Sequence, residues 1–358
     1  MAASEPVRGS FVLPLIALLA LGAPLPGWIV ESLYARDMYP WLQTGFTTVS
    51  NLVPFALIDV WISLVAILVV LRAWRLFIAA RQRGVFDATW ELVRRVARFG
   101  AAVTILFLFA WGFNYRRPPL EDTLPGGPPQ RPSVATLQAA FAQANTLAGR
   151  LRPSVISQPE MTFAQVEAAL RPPLNLALKQ LQRAELAVPG RPKHSLVLTP
   201  FFTRAGIDGM VNPFGLESLV HQGLLPFERP FVLAHEWAHL AGEADEAQAS
   251  TVGWLACMNG PAAFAYSGAL YLINETQAAM PADVRRASLS RLDAGVREDL
   301  VALAARLEKE NPTVQRAAFR VYDEYLKANR VEDGTRSYGR ALTLILSPGI
   351  IETLNTYK

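Results

Sequence analysis

The residues best placed to do chemistry are His235-Glu236-Trp237-Ala238-His239. A four-residue step on an α-helix turns about 400°, so the two imidazoles project about 40° apart on one face, a turn apart, a spacing that suits two ligands on one Zn2+. Glu236 points about 60° to the side of His239, where it can reach a water acidified by the metal without taking a coordination position. That is the place of a general base. Trp237 and Ala238 face elsewhere and read as packing, and Pro230 marks a helix start just upstream. With a single cysteine, Cys257, the chain can build neither a cysteine zinc cluster nor an internal disulfide. Any metal site must use His and carboxylate.

A catalytic zinc takes three protein ligands and leaves one position open for water. Gly242 stops the helix three residues after His239, and Glu243, Asp245 and Glu246 come next as carboxylate candidates. If the helix ran straight on, Glu246 would lie on the His face but about 10 Å beyond His239, while Asp245 would point off that face. The chain must therefore turn at Gly242, and the turn can bring in either residue. Asp245 completes an HExxHxxGxxD pattern, and Glu246 opens a different one. Of the other two histidines, His221 reads as a wall or surface residue of the site and His194 as a turn residue.

The elements that must position this helix divide by composition. Over the whole chain 51% of residues are hydrophobic and 18% charged, where a soluble domain of this size carries about 25% charged residues. Residues 1–117 hold 11 Arg and no Lys against 6 acids, and the remainder holds 23 bases against 24 acids, so the net +4 belongs to the first third. That pattern argues for a membrane segment and against a nucleic-acid binder. Three stretches, 11–30, 52–71 and 99–115, have the length and apolarity of transmembrane helices, at about 1.5 Å per residue against a hydrocarbon core of about 30 Å. The first gives no clean small-x-small site after its apolar run, so it reads as a span and not as a cleaved signal. Asp59 in the second reads as hydrated at the interface. Arg72, Arg75, Arg81, Arg83, Arg94, Arg95 and Arg98 lie between the second and third spans, which places that connection and the N-terminus in the cytoplasm and everything after Tyr115 outside.

From Pro118 the sequence turns to proline and glycine, so 118–133 reads as a linker and 134–358 as the domain that carries the site. Within it, Ala135–Leu151 and Phe163–Leu181 show helical spacing, and Ser195–Phe202 reads as a strand. Gly206–Gly215 reads as a turn or hairpin between short extended pieces. Gly253–Ile273 lacks charge, but Asn259-Gly260-Pro261 divides it into two buried helices.

These residues carry a resemblance to the bacterial multi-pass membrane proteins grouped as domain of unknown function 3810. The matching positions are Tyr39-Pro40, Pro54-Phe55 with Asp59, Trp111-Gly112-Phe113-Asn114-Tyr115, Arg117-Pro118-Pro119, Gly209 to Glu217 with Asn212-Pro213-Phe214, and the HEWAH helix with Gly242. They continue through Tyr266-Ser267-Gly268, Tyr325 to Asn329, Gly334 and Ser337-Tyr338. The members of that family look like zinc-dependent peptidases. A more distant likeness is to gluzincin peptidases, whose third ligand is a Glu opening a Glu-x-x-Ala-Asp/Asn pattern. Glu246-Ala247-Gln248-Ala249-Ser250 fits the first and fourth positions and has Ser250 where Asp or Asn is usual, which leaves the support of the ligands open.

The likeness implies a zincin-like fold, mostly helical with a small sheet, in a membrane-anchored α+β protein. It implies Zn2+ on His235, His239 and Glu246, with Glu236 as base. In such enzymes an edge strand pairs with an extended substrate and a Tyr, His or Arg donates to the oxyanion. Here Leu216 to His221 is the expected edge, Tyr338 the expected donor, and Arg340 the alternative on the substrate side. The resulting expectation is a peptidase of peptide or protein substrates, lodged in the bacterial plasma membrane with its catalytic domain extracytoplasmic. The rival is a non-catalytic membrane scaffold or sensor with a structural metal, whose fourth position Asp245 or His221 would fill.

Overall fold

The structure is a computed structural model, and it describes residues 11–83, 85–124, 129–331, 334 and 338–356. The helices in chain order are α1 Val12–Gly22, α2 Gly27–Ile29, α3 Tyr39–Asn51, α4 Leu57–Arg83, α5 Val85–Ala110, α6 Val134–Ile156, α7 Phe163–Gln180 and α8 Thr199–Ala205. After the strands β1 Gly209–Asn212 and β2 Glu217–Val220 come α9 Arg229–Leu240, α10 Glu246–Met258, α11 Ala262–Ala279, α12 Ala282–Leu289, α13 Ala294–Leu307, α14 Pro312–Ala328, α15 Tyr338–Ile345 and α16 Pro348–Thr356. The chain is thus mostly helical with one two-stranded antiparallel sheet, in the register Gly209 opposite Val220 and Asn212 opposite Glu217.

The N-terminal helices differ from three straight spans. α1 has 11 residues, about 16 Å of helix, because Pro24 and Pro26 interrupt the apolar run. The chain then continues as one helix from Gly27 to Asn51, with π-type winding over Val30–Met38, and leaves α1 at 105°. The second stretch starts later than the sequence suggests, since residues around Pro54 form a turn; the apolar window is Leu57–Ile78, with mean hydropathy 2.1 and no part of it buried. The third stretch, 99–115, is the end of α5 followed by a 3-10 turn, Gly112–Arg116, and α5 as a whole carries Glu91, Arg94, Arg95 and Arg98. Among the described residues one helix is long and apolar enough to cross a membrane, or two if the bent pair counts as one span.

Residues the composition assigns to an anchor nevertheless share one core with the rest. Val30, Tyr34, Tyr39, Trp111 and Leu120 are buried in the same hydrophobic cluster as Leu174, Trp237, Trp254, Phe264 and Leu344. Leu120 sits in a short 3-10 turn, Leu120–Asp122, and Arg183 Nη2 donates to the Pro118 carbonyl at 3.0 Å, so the start of the proline-rich linker is packed down. Gly253–Ile273 supplies α10 and α11, two core helices broken at Pro261.

Two expectations about strands are corrected. Ser195–Phe202 is no strand: only Lys193 makes a parallel bridge, to Leu219, after which the chain turns into α8. The reason is a contact with a residue distant in sequence. The Asp59 carboxylate captures the Ser195 hydroxyl and, at 2.7 Å, the Leu196 N–H; Ser195 Oγ accepts from Leu198 N, and Pro200 opens the helix. Leu216 to His221 is no free edge either. β2 has β1 on one side and Lys193 on the other, so among the described residues the open edge is β1.

Candidate metal centre

α9 carries His235 and His239 on one face, and the turn after it decides the site. Gly242 has φ +93°, a conformation L side chains rarely adopt. It closes a Schellman turn, with Glu243 N donating to Ala238 O at 3.0 Å and Gly242 N to His239 O at 2.9 Å. Asp245 then caps α10 by accepting from Ala247 N and Gln248 N at 3.0 and 3.2 Å. The reversal lays α10 back against α9. It brings Glu246, the first residue of α10, under the histidines.

Glu246 Oε2 lies 3.2 Å from His235 Nε2 and 3.5 Å from His239 Nε2, and the two Nε2 atoms are 3.1 Å apart. Ligand atoms of all three residues fall within 4.8 Å of one another. The other oxygen, Glu246 Oε1, accepts the hydroxyl of Tyr322 in α14. Each imidazole is held from behind: His239 Nδ1 lies 2.7 Å from the Glu243 carbonyl and His235 Nδ1 lies 3.2 Å from Ser250 Oγ. With Nδ1–H donating to those oxygens, both Nε2 atoms are left to face the Glu246 carboxylate. Ser250 therefore stands behind His235, and the departure from Asp or Asn at this position costs the imidazole no partner.

Burial sets the charges. Burial alone would raise the Glu246 carboxyl, but the neighbouring His239 charge and hydrogen bonds from both histidines hold it well below the carboxylate range. Burial would lower His239, yet the Glu246 and Glu236 charges raise it to about 9. Burial lowers His235. The Glu246 carboxylate thus favours a positive charge on the imidazoles it faces. Two imidazoles with their Nδ1 atoms engaged and one carboxylate form a cluster that could hold a metal ion.

Glu236 is buried beside this cluster, and burial pushes its carboxyl up to about 8. Its Oε2 has no hydrogen-bond partner among the described residues, and a Cβ at Gly209 would collide with its Oε1, so the glycine lets the edge strand β1 pass close to this carboxyl without displacing it. An orphaned buried carboxyl oxygen needs something to bond.

The remaining candidates lie elsewhere. Asp245, the alternative third ligand, is spent on the α10 cap and on an ion pair with Arg340. Arg340 also lies 3.7 Å from Glu121, so it faces the Gly242 turn and its own carboxylate partners. His221 accepts from Gly223 N at Nδ1 and pairs with Thr203 Oγ1 at 2.8 Å, and His194 Nδ1 meets the Val220 carbonyl at 2.9 Å; neither joins the cluster. Leu216 is buried in the core at φ +42°, its carbonyl accepting from Thr47. Tyr338 begins α15, but its side chain lies outside the described residues.

The sequence reading missed two groups. Tyr322 lies three residues before Tyr325 and stacks on it at 5.8 Å, so helix register from the Tyr325 motif was the one signal for it. The other is a buried ionic cluster: Arg117 joins Glu243 at 3.0 Å and Glu31 at 2.8 Å, and Arg183 approaches both carboxylates. It clamps the Gly242 turn to the helix Gly27–Asn51, where Tyr39 Oη also donates to Leu240 O at 2.9 Å.

Comparison with known families places the chain by sequence. It belongs to the family described as Protein of unknown function (DUF3810), whose model matches residues 34–346. No curated protein matches the chain, and no solved structure does.

Proposed function

We propose that this chain is a membrane-anchored, zinc-dependent peptidase of the gluzincin type. The observation that carries the reading is the pairing of a three-ligand set, His235, His239 and Glu246, with a buried carboxyl, Glu236, that has an unpartnered oxygen. Bound Zn2+ would supply a Lewis acid for the scissile carbonyl and would acidify a water at an open position. Glu236 takes the proton of the attacking water and, as a neutral acid, hands it to the leaving amine. Burial raises the Glu236 carboxyl and a bound cation beside it would lower it again, which moves it toward the range in which one group can both take and return a proton. Tyr322 and Ser250 hold Glu246 and His235 in their ligand orientations. The open edge of β1, running past Glu236 at Gly209, is where an extended peptide would pair.

A structural metal in a non-catalytic scaffold is the poorer reading, because its fourth ligand would have to be Asp245 or His221, and both are bonded elsewhere. The anchor in this proposal is α4 with α5 and α1 packed beside it. The Arg-rich end of the α4–α5 pair lies in the cytoplasm of a bacterium, and the site lies outside its plasma membrane. The test is hydrolysis of a mixed peptide library by the purified full chain, abolished by a zinc chelator, restored by Zn2+, and missing in Glu236→Gln. Chelator-resistant cleavage, or equal cleavage by Glu236→Gln, contradicts the proposal.

A further inference from the structure

The helix Gly27–Asn51 does not point along α1 but leaves it at 105°. Its two sides differ. Tyr39, Gln43, Thr47 and Ser50 are buried against the site-bearing core, through Tyr39 Oη to Leu240 O and Thr47 Oγ1 to Leu216 O at 2.7 Å. At about 100° per residue, Trp41 and Leu52 stand on the side opposite Tyr39, Gln43 and Ser50. They are 80% and 76% exposed. Tryptophan and leucine on an unpartnered helix face are costly in water and favoured at a lipid headgroup boundary.

A second segment reaches the same level. Leu52 and Phe55 directly precede α4, whose first turn holds Asp59, and Asp59 binds Ser195 and Leu196. That contact holds the Leu196 backbone, whose side chain is 84% exposed, beside the first turn of the helix that is long and apolar enough to span a membrane. Asp59 therefore caps an apolar loop tip beside the point where α4 would enter lipid.

We propose that Gly27–Asn51 lies in the plane of the outer membrane–water interface, with Trp41, Leu52 and the Leu196 tip seated in the lipid headgroup region. The inference rests on the membrane reading above and adds where the site stands relative to lipid. The core side of this helix bonds Leu240, next to His239, so the metal ligands lie within about two helix diameters, ~20 Å, of the bilayer.

The test uses the full chain in phosphatidylcholine–phosphatidylglycerol vesicles, with a nitroxide on single introduced cysteines. The sole native cysteine, Cys257, is fully buried and stays unlabelled. Labels are placed by Trp41→Cys, Leu52→Cys and Leu196→Cys, by Val69→Cys within α4, and by Val301→Cys on the 63% exposed α13 face as a water reference. The expected result is shallow lipid exposure at 41, 52 and 196, with oxygen favoured over a water-soluble nickel complex, deep exposure at 69 and full water exposure at 301. Water exposure at 41, 52 and 196 with lipid exposure at 69 overturns the in-plane helix and leaves the anchor standing. Water exposure at 69 overturns the anchor itself and this inference with it.

Discussion

Tyr322 donates its hydroxyl to Oε1 of Glu246, the oxygen that does not face the histidines. The bond spans 76 positions of sequence and presents Oε2 alone to His235 and His239. Removing it in Tyr322→Phe frees the carboxylate to rotate and should weaken zinc binding about 10- to 100-fold, read by chelator competition. Unchanged affinity, with the metal-free chain melting as the parent does, would show that Tyr322 does not position the ligand.

Glu236→Gln separates catalysis from binding. The amide keeps size and loses the proton acceptor, so zinc stays bound while hydrolysis falls by about 10²-fold or more. The same change should stabilise the metal-free chain. Glu236 has an ordinary carboxyl pKa of 4.5 that rises to about 8 on folding, so the folded parent binds the extra proton and loses stability as pH climbs between those values. At pH 7 that cost is up to about 3 kcal/mol. Melting curves of parent and variant should therefore converge near pH 4.5 and separate toward pH 8, with the variant higher. A variant that melts lower at pH 8 contradicts the assignment.

Zinc uptake must expel the proton that His239 holds up to pH about 9 in the metal-free chain. Calorimetry in buffers of different ionisation enthalpy should show at least one proton released per zinc at pH 7. Apparent affinity should rise about tenfold per pH unit and level off near pH 9. A flat profile from pH 6 to 8 would mean that the imidazoles are already neutral.

The ionic cluster ties the site to the N-terminal helices. Arg117→Met leaves the buried Glu243 and the half-buried Glu31 without their closest guanidinium and should cost about 3–5 kcal/mol, with a drop in zinc affinity because the Glu243 carbonyl holds His239. Arg36→Met removes a pair whose arginine side chain is 54% exposed and should shift the melting point little. For the same reason a fragment beginning at Pro118 should not bind zinc, since Tyr39, Trp111 and Arg117 would be missing beneath α9. A folded, zinc-binding 118–358 fragment would refute this coupling.

What the sequence disclosed was local chemistry. The His235–His239 step, the stop at Gly242 and the need for a turn before Glu246 come from helix geometry alone, and the short hairpin from its Gly, Asn and Pro. Errors arose where a distant group outvoted a local pattern. Alternation made Ser195–Phe202 look extended, but the Asp59 carboxylate, 136 positions away from Ser195, turned it. Counting apolar residues made 11–30 look continuous although Pro24 and Pro26 were in plain view. Ser250 was visible as a substitution, but only the packing of α10 on α9 places its hydroxyl behind His235. The open edge could not be told from the covered one, because the Lys193 bridge to Leu219 joins residues with no shared spacing.

Glu246, and not its neighbour Asp245, is the residue proposed to complete the metal site. Zinc content of the purified full chain, measured by mass spectrometry of the metal at pH 8 after dialysis against apo-buffer, tests it most directly. The parent and Asp245→Asn should each hold one zinc per chain, and Glu246→Ala and His239→Ala should hold none. Full zinc in Glu246→Ala together with loss in Asp245→Asn would reverse the ligand assignment, and zinc absent from the parent itself would mean that the cluster is not a zinc site.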